Sequence, residues 1–148
     1  MFKKILIATD GSKHSQKAAE KGIEMAKLSN GAVTAIYVVD IAKEYAPIGD
    51  VSFNIADEVV EGMRNSLMKK GEEATKTVEE MAKKAGVPAQ KVVLEGHPAS
   101  DIMKFAQDSK MDLIVIGSIG VTGLDKFLMG SVAEKIVRNS KMPVLVVR

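Results

Sequence analysis

The chain has 148 residues, 46% hydrophobic and 27% charged, the proportions of one globular domain and not of a disordered, collagenous or coiled-coil chain. Twenty-one Lys and Arg stand against 19 Asp and Glu, and this net charge of +2 is too balanced for a sequence-independent nucleic-acid binder. Cysteine is absent, which excludes disulfides, thiolate nucleophiles and cysteine-based metal sites.

Short apolar runs rich in β-branched residues alternate with helical patterns from end to end. Lys4 to Ala8 reads as a first strand. After Asp10-Gly11-Ser12 a helix places Ala18, Ala19, Gly22, Ile23 and Ala26 on one face and stops near Asn30-Gly31. Ala32 to Val39 is a second strand, apolar enough to be buried on both faces. Ile41 to Ala56 has no period, carries Pro47, Gly49 and Asp50, and reads as a mobile loop of a length that often carries function. From about Ala56 to Ala85 the residues Val60, Met63, Leu67, Ala74, Val78 and Met81 recur at helical steps. Within that helix Gly71 costs about 1 kcal/mol relative to Ala.

Lys91 to Leu94 is a third strand, and Pro98 opens a short helix carrying Ile102, Phe105 and Ala106. Leu113 to Ile116 is a fourth strand, Ser131 to Asn139 a last helix, and Val144 to Val147 a fifth strand. The alternation implies an α/β fold with a parallel sheet covered by helices on both faces. No break in composition divides the chain, so 1–148 is taken as one domain. Apolar runs reach only four or five residues, against about 20 for a membrane span. Met1-Phe2-Lys3-Lys4 leads directly into a strand without a signal-peptide core. These features set the expectation of a cytoplasmic protein with no membrane and no nucleic-acid partner.

Ligands of open α/β sheets bind beyond the carboxyl ends of the strands, where the strand order reverses. Three segments fall there: Thr9-Asp10-Gly11-Ser12, Val38-Val39-Asp40, and the glycine-rich stretch Gly117 to Ser131. In the last, Gly117, Gly120 and Gly130-Ser131 suit an anion, because glycine admits close approach to backbone N–H groups and a helix start gathers such donors. One helix end contributes only about 0.3–1 kcal/mol, so a triphosphate needs several amides, Ser131 and a divalent cation together. The plainer alternative is a strand-end turn at Gly117 and Gly120, with Ser131 capping its helix. No P-loop occurs, and no Gly-x-Gly-x-x-Gly follows the first strand. His14 and His97 lie far apart without metal-ligand spacing, and His97 before Pro98 reads as a turn or cap residue sooner than a base.

The Gly117/Gly120/Gly130-Ser131 pattern resembles the signature of ATP-binding universal stress proteins. So do Lys4 to Ser12, Tyr37 to Asp40, Glu95-Gly96-His97-Pro98, Asp112 to Ser118 and Pro143 to Val147. The resemblance implies a Rossmann-like open parallel sheet of five strands in the order 3-2-1-4-5. It also implies a site for ATP (or AMP/ADP) with Mg or Mn. Asp10 would accept from the ribose hydroxyls, with helix capping as its other reading. Val38 would meet adenine through its backbone beside Thr9, and Gly117 would pack against the ribose. Gly120, Gly130, Ser131 and Val132 would surround the phosphates.

One departure is Ile119, where family members often carry His or Arg. Ile offers no donor, and Lys126 within the loop is either a compensating cation or, the commoner fate, a solvated surface lysine. Asp10 is the only carboxylate assigned near the site, which is too little for a hydrolytic apparatus beyond slow ATP turnover. The same shortage of carboxylates argues against a phospho-acceptor receiver domain. The functional expectation is a nucleotide-dependent switch in the stress response, homodimeric through Val144–Val147 at the sheet edge. The alternative is a nucleotide-independent stress protein that works as a dimeric interaction module.

Overall fold

Parallel pairing joins five strands, β1 (Lys4–Ala8), β2 (Ala32–Val39), β3 (Ala89–Glu95), β4 (Leu113–Gly117) and β5 (Val144–Val147), in the order β3-β2-β1-β4-β5. They are connected through α1 (Lys13–Ser29), α2 (Ile41–Tyr45), α3 (Asp57–Lys84), α4 (Pro98–Asp108) and α5 (Ser131–Asn139). The structure, a computed structural model, describes residues 1–45, 57–119 and 129–148. The open doubly wound sheet anticipated from the strand–helix alternation is therefore present.

Period-2 alternation in the central strand decides the layers. Ile5 and Ile7 of β1 face Ala18, Ala19, Ile23 and Ala26 of α1 and Val78 and Ala82 of α3. Leu6 and Ala8 face the other way, onto Ala99, Ile102 and Ala106 of α4 and Ala133 and Ile136 of α5. With Ile5, Leu6 and Ile7 fully buried, the run has no polar face, as expected for a strand covered on both sides. In α3 the weak helix former Gly71 has a packing reason. A Cβ there would lie 2.8 Å from Tyr37 Cδ1 and 2.8 Å from Val93 Cγ1, so its absence sets how closely α3 sits on β2 and β3.

The lower rim of the sheet is stitched by one carboxylate. Asp112, just before β4, accepts at Oδ2 from the backbone N–H of Lys3 (2.9 Å) and Lys4 (2.7 Å), fixing the start of β1 against β4. The Lys3 and Lys4 ammonium groups reach the carbonyls of Ser29 and Ser109, at the ends of α1 and α4. Cations at these carbonyls complement the helix dipoles.

Three elements differ from the sequence reading. β3 runs from Ala89 to Glu95 and not from Lys91 to Leu94, because Val33 N–H donates to Pro88 O at 2.9 Å and the register Val33↔Ala89 to Val39↔Glu95 follows. β4 continues to Gly117, paired with Val147. The first residues of the supposed loop, Ile41–Tyr45, form α2, started by Asp40 Oδ1 accepting from Lys43 N–H at 3.0 Å. Residues 46–56 lie outside the described residues.

Candidate functional site

Chain order reverses between β1 and β4, since β2 and β3 lie on one side of β1 while β4 and β5 lie on the other. The carboxyl ends of these two strands thus flank the switch point of the sheet.

At the end of β1, Thr9 N–H still donates to Ile36 O (3.0 Å), and the chain then turns through Gly11 at φ +81°. A web of short bonds fixes the turn. Asp10 Oδ1 accepts from Ser12 N–H (2.9 Å), and Thr9 Oγ1 accepts from Gly11 N–H (3.2 Å) while sitting 3.2 Å from Ser15 Oγ. Ser12 is the N-cap of α1, its Oγ accepting from Ser15 N–H at 3.2 Å, and Ser15 Oγ donates back to Ser12 O at 2.8 Å. Capping therefore belongs to Ser12. Asp10 instead makes an Asx-type turn that holds its half-buried carboxylate at the strand end. Thr9 and Ser15 are buried, so their hydroxyls serve the turn.

One strand over, alternation along β2 aims Val39 toward β3, where its carbonyl accepts from Gly96 N–H at 2.9 Å, and Ile36 toward β1. The peptide groups of Val38 accordingly face the β1 side, one step past the last bond that β1 makes to β2.

Gly117 ends β4 and is buried. A Cβ on it would stand 3.2 Å from the His14 carbonyl oxygen and 3.4 Å from that of Ile119, so the first turn of α1 approaches β4 because residue 117 has no side chain. Ser118 N–H donates to Val147 O (2.8 Å), and Ser118 O accepts from Gly130 N–H at 2.6 Å. That last bond sets the start of α5 directly against the end of β4. Gly130 is the N-cap of α5 at φ −59°, with its carbonyl taking Glu134 N–H at 2.9 Å. The N–H groups of Ser131, Val132 and Ala133 precede the first intrahelical bond and point out of the helix end. Ser131 is exposed, and Val132 packs partly into the layer of α4 and α5.

Thr9, Asp10, Val38, Gly117, Gly130, Ser131 and Val132 thus lie along one edge of the sheet. Gly120 and Lys126 fall outside the described residues. Ile119 is half-buried and brings no donor. His97 occupies the N-cap of α4 without a side-chain bond. The N–H of His97 is satisfied by Asp101 Oδ2 at 2.7 Å, and a Cβ at Gly96 would collide with that same oxygen. Ser15, Asp101 and the His14 carbonyl were not singled out from the sequence. For Ser15 the available signal was the Ser-x-x-Ser spacing at a helix start.

Carboxylates at this edge include Asp10, Asp40 and, in the first turn of α5, Glu134. Among the described residues no group of three or more His, Asp or Glu side chains is arranged to hold a metal ion. A shallow hollow of about 270 Å³, lined by Met103, Gln107, Asn139 and Met142 among others, lies away from this edge between α4 and the segment before β5.

Residues 1–148 match the model of the universal stress protein family. The chain belongs to that family. A universal stress protein of Methanocaldococcus jannaschii is 43% identical over 148 residues, which cover all of this chain and 83% of the relative. Universal stress protein YxiE of Bacillus subtilis is 32% identical over the full length of both chains. Among solved structures, that of the protein MJ0577 superposes with a TM-score of 0.83 at 28% identity, covering 99% of this chain and 96% of the other. Two universal stress proteins more distant in sequence share the fold. One is in complex with cAMP (TM-score 0.67, 24% identity, 99% and 97% covered) and one, from Archaeoglobus fulgidus, with dAMP (0.69, 18%, 100% and 98%). This universal stress protein has the strand order that the resemblance implied, and no helix among its described residues is long and apolar enough to cross a membrane.

Proposed function

We propose that this universal stress protein binds an adenine nucleotide, ATP or its mono- or diphosphate, in the crevice between β1 and β4 and acts as a cytoplasmic nucleotide-dependent switch. The observation that carries the reading is the Gly130 N–H to Ser118 O bond, which brings the amide-rich start of α5 to the strand end beside the fixed carboxylate of Asp10. Asp10 then accepts from the ribose hydroxyls. The backbone of Val38, beside Thr9, meets the hydrogen-bonding edge of adenine. Gly117 lies under the ribose, and the amides of Gly120, Gly130, Ser131 and Val132 with the Ser131 hydroxyl take the phosphates. That two relatives of this fold bind cAMP and dAMP supports the choice of adenine nucleotide.

Asp10, Asp40 and Glu134 set carboxylates at this edge beside Lys13 and Lys43, and a polyphosphate enters there with a divalent cation, Mg or Mn. With no protein cage among the described residues, phosphate oxygens and water supply most of the ligands of that cation.

Thermal unfolding with Mg-ATP and Mg-AMP tests the proposal. A hundredfold excess over the dissociation constant adds about 2.7 kcal/mol, roughly 5–11 °C for a chain of this size. No shift at millimolar nucleotide refutes it. At Gly130 the backbone is at φ −59°, open to any residue, so Gly130→Val should fold normally and lose the shift.

A second reading, homodimerisation through β5, is favoured by the contrast between the two sheet edges. Along β3 the edge carries Lys91 paired with Glu72 (3.2 Å) and Glu95 beside Arg64 Nε (3.1 Å). Val144–Val147 is uncharged and half-buried throughout, the kind of edge that pairs with another copy. If the protein is an interaction module independent of nucleotide, Gly130→Val keeps a dimeric mass and full activity. A strictly monomeric mass refutes the dimer.

A further inference from the structure

The edge opposite the nucleotide crevice has a chemistry of its own. Helices α1, α3, α4 and α5 run against the strands, so all four end where the strands begin. Exposed lysines collect there: Lys3, Lys4, Lys27, Lys83, Lys84 and Lys110. The carboxylates nearest the strand starts, Asp108 and Asp112, are both engaged, while Glu24, Glu79 and Glu80 stand one turn back from Lys27, Lys83 and Lys84. Asp108 pairs with Lys104 at 2.6 Å, and Asp112 Oδ2 takes the Lys3 and Lys4 amides. Helix dipoles account for part of this charge, since Lys27, Lys83 and Lys84 stand in last turns and the Lys3 and Lys4 ammonium groups cover helix-end carbonyls.

Lys110 is not explained that way. It adopts φ +53°, the left-handed conformation in which helices usually end on glycine, with its N–H on Gln107 O (3.1 Å) and Met111 N–H on Ala106 O (2.8 Å). A lysine there is less stable than glycine, and its exposed side chain has no ion pair among the described residues. Amid these cations stand the two most exposed large apolar side chains of the described residues, Met1 at 95% and Leu28 at 85%. The residues that follow them in the chain are joined, Ser29 Oγ donating to Phe2 O at 2.5 Å, so both leave the same end of the sheet.

We propose that this edge is a docking surface for an anionic lipid bilayer, with the lysines on headgroup anions and Leu28 and Met1 entering the interfacial region. Lipid is favoured over nucleic acid because only a bilayer rewards burial of the two protruding apolar side chains alongside the charge. The expectation of no membrane partner rested on the lack of a spanning run and of a signal-peptide core. A surface contact needs neither, and a chain-wide charge of +2 does not prevent lysines from gathering at one end of the fold. Docked in this way, the crevice between β1 and β4 faces away from the membrane.

Flotation of the full chain with phosphatidylcholine vesicles containing about 30% phosphatidylserine, at about 50 mM salt, is the test. Binding is expected to these vesicles, not to pure phosphatidylcholine, and to fade at about 300 mM salt. Lys83→Gln and Lys84→Gln should each weaken it about fivefold. Leu28→Ser should weaken it severalfold with an unchanged melting temperature. Lys110→Gly should raise the melting temperature yet weaken flotation, whereas a residue with a merely structural role would not move the two in opposite senses. The proposal is overturned by no flotation at low salt, by equal flotation with neutral vesicles, or by Lys110→Gly leaving flotation unchanged. It is also overturned if duplex DNA binds more tightly than the vesicles and Leu28→Ser has no effect on either.

Discussion

Two glycines of α3 offer a direct check on the packing of the sheet. Gly62 and Gly71 lie in the same helix, so replacement by Ala brings each the same gain in helix propensity, about 1 kcal/mol. At position 62 the added methyl meets nothing within 4 Å, and Gly62→Ala should stabilise the protein by about 0.5–1 kcal/mol. At position 71 it meets Tyr37 Cδ1 and Val93 Cγ1, both at 2.8 Å, and Tyr37 Cγ at 3.2 Å. A ring edge and a β-branched methyl cannot swing aside as the end of a flexible chain can. Relief comes only by lifting α3 from β2 and β3, at about 1–3 kcal/mol for an overpacked core. Gly71→Ala should therefore destabilise by up to about 2 kcal/mol net, and the two variants should differ in sign. Urea unfolding followed by circular dichroism measures both, with unchanged slopes confirming that only stability moved. If Gly71→Ala stabilises as much as Gly62→Ala, the close seating of α3 on Tyr37 is not a constraint and the account of that helix fails.

Other outcomes follow from single contacts. Asp112→Ala removes the acceptor of two backbone N–H groups and should cost about 1.5–3 kcal/mol in chemical denaturation, with Asp112→Asn recovering part of the loss. Ser12→Ala strips the cap of α1 and should lower stability by about 0.5–2 kcal/mol, read by the same assay. Asp10→Asn keeps an oxygen for Ser12 N–H, so the melting temperature without ligand should hold while calorimetric affinity for Mg-ATP falls about tenfold. Equal affinity would remove Asp10 from the ribose.

The central strands were legible because burial on both faces leaves only one kind of sequence. Ile5 to Ile7 and Leu113 to Val115 are apolar at every position, and no helix period competes. β3 was less so: Ala89 and Gln90 are weak strand formers, placed by pairing with β2 and not by their own preference. The start of α2 was hidden in a segment read as aperiodic, because Asp40 nucleates it with one side-chain bond. Gly71 read as a helix defect, since the ring it makes room for is 34 residues away. At the site, spacing pointed to Gly117 and Gly130, but the contacts they make are tertiary. The missing side chain of Gly117 makes room for the His14 carbonyl and the Gly130 N–H meets the Ser118 carbonyl, and neither contact leaves a local pattern. That Asp10 makes an Asx turn and leaves the cap of α1 to Ser12 depends on a rotamer, which no sequence carries.

Parallel pairing itself produces the two ends of the molecule. Because every strand runs the same way, the packed helices return antiparallel to them, and their partial charges add instead of cancelling as they would in an antiparallel bundle. One edge gathers helix starts with outward N–H groups, and acidic side chains such as Asp57, Glu58 and Glu134 settle in those first turns. The other gathers outward carbonyls, and lysines settle in the last turns. The acidic side chains that suit the helix starts also oppose an incoming polyphosphate, and the proposed nucleotide site therefore has to rely on short-range amide contacts and a cation brought with the ligand. Added salt should therefore weaken nucleotide binding little, since contacts at hydrogen-bond distance are screened far less than charges a Debye length apart. A steep fall in Mg-ATP affinity between about 50 and 300 mM salt would instead place exposed cationic side chains, not main-chain amides, on the phosphates.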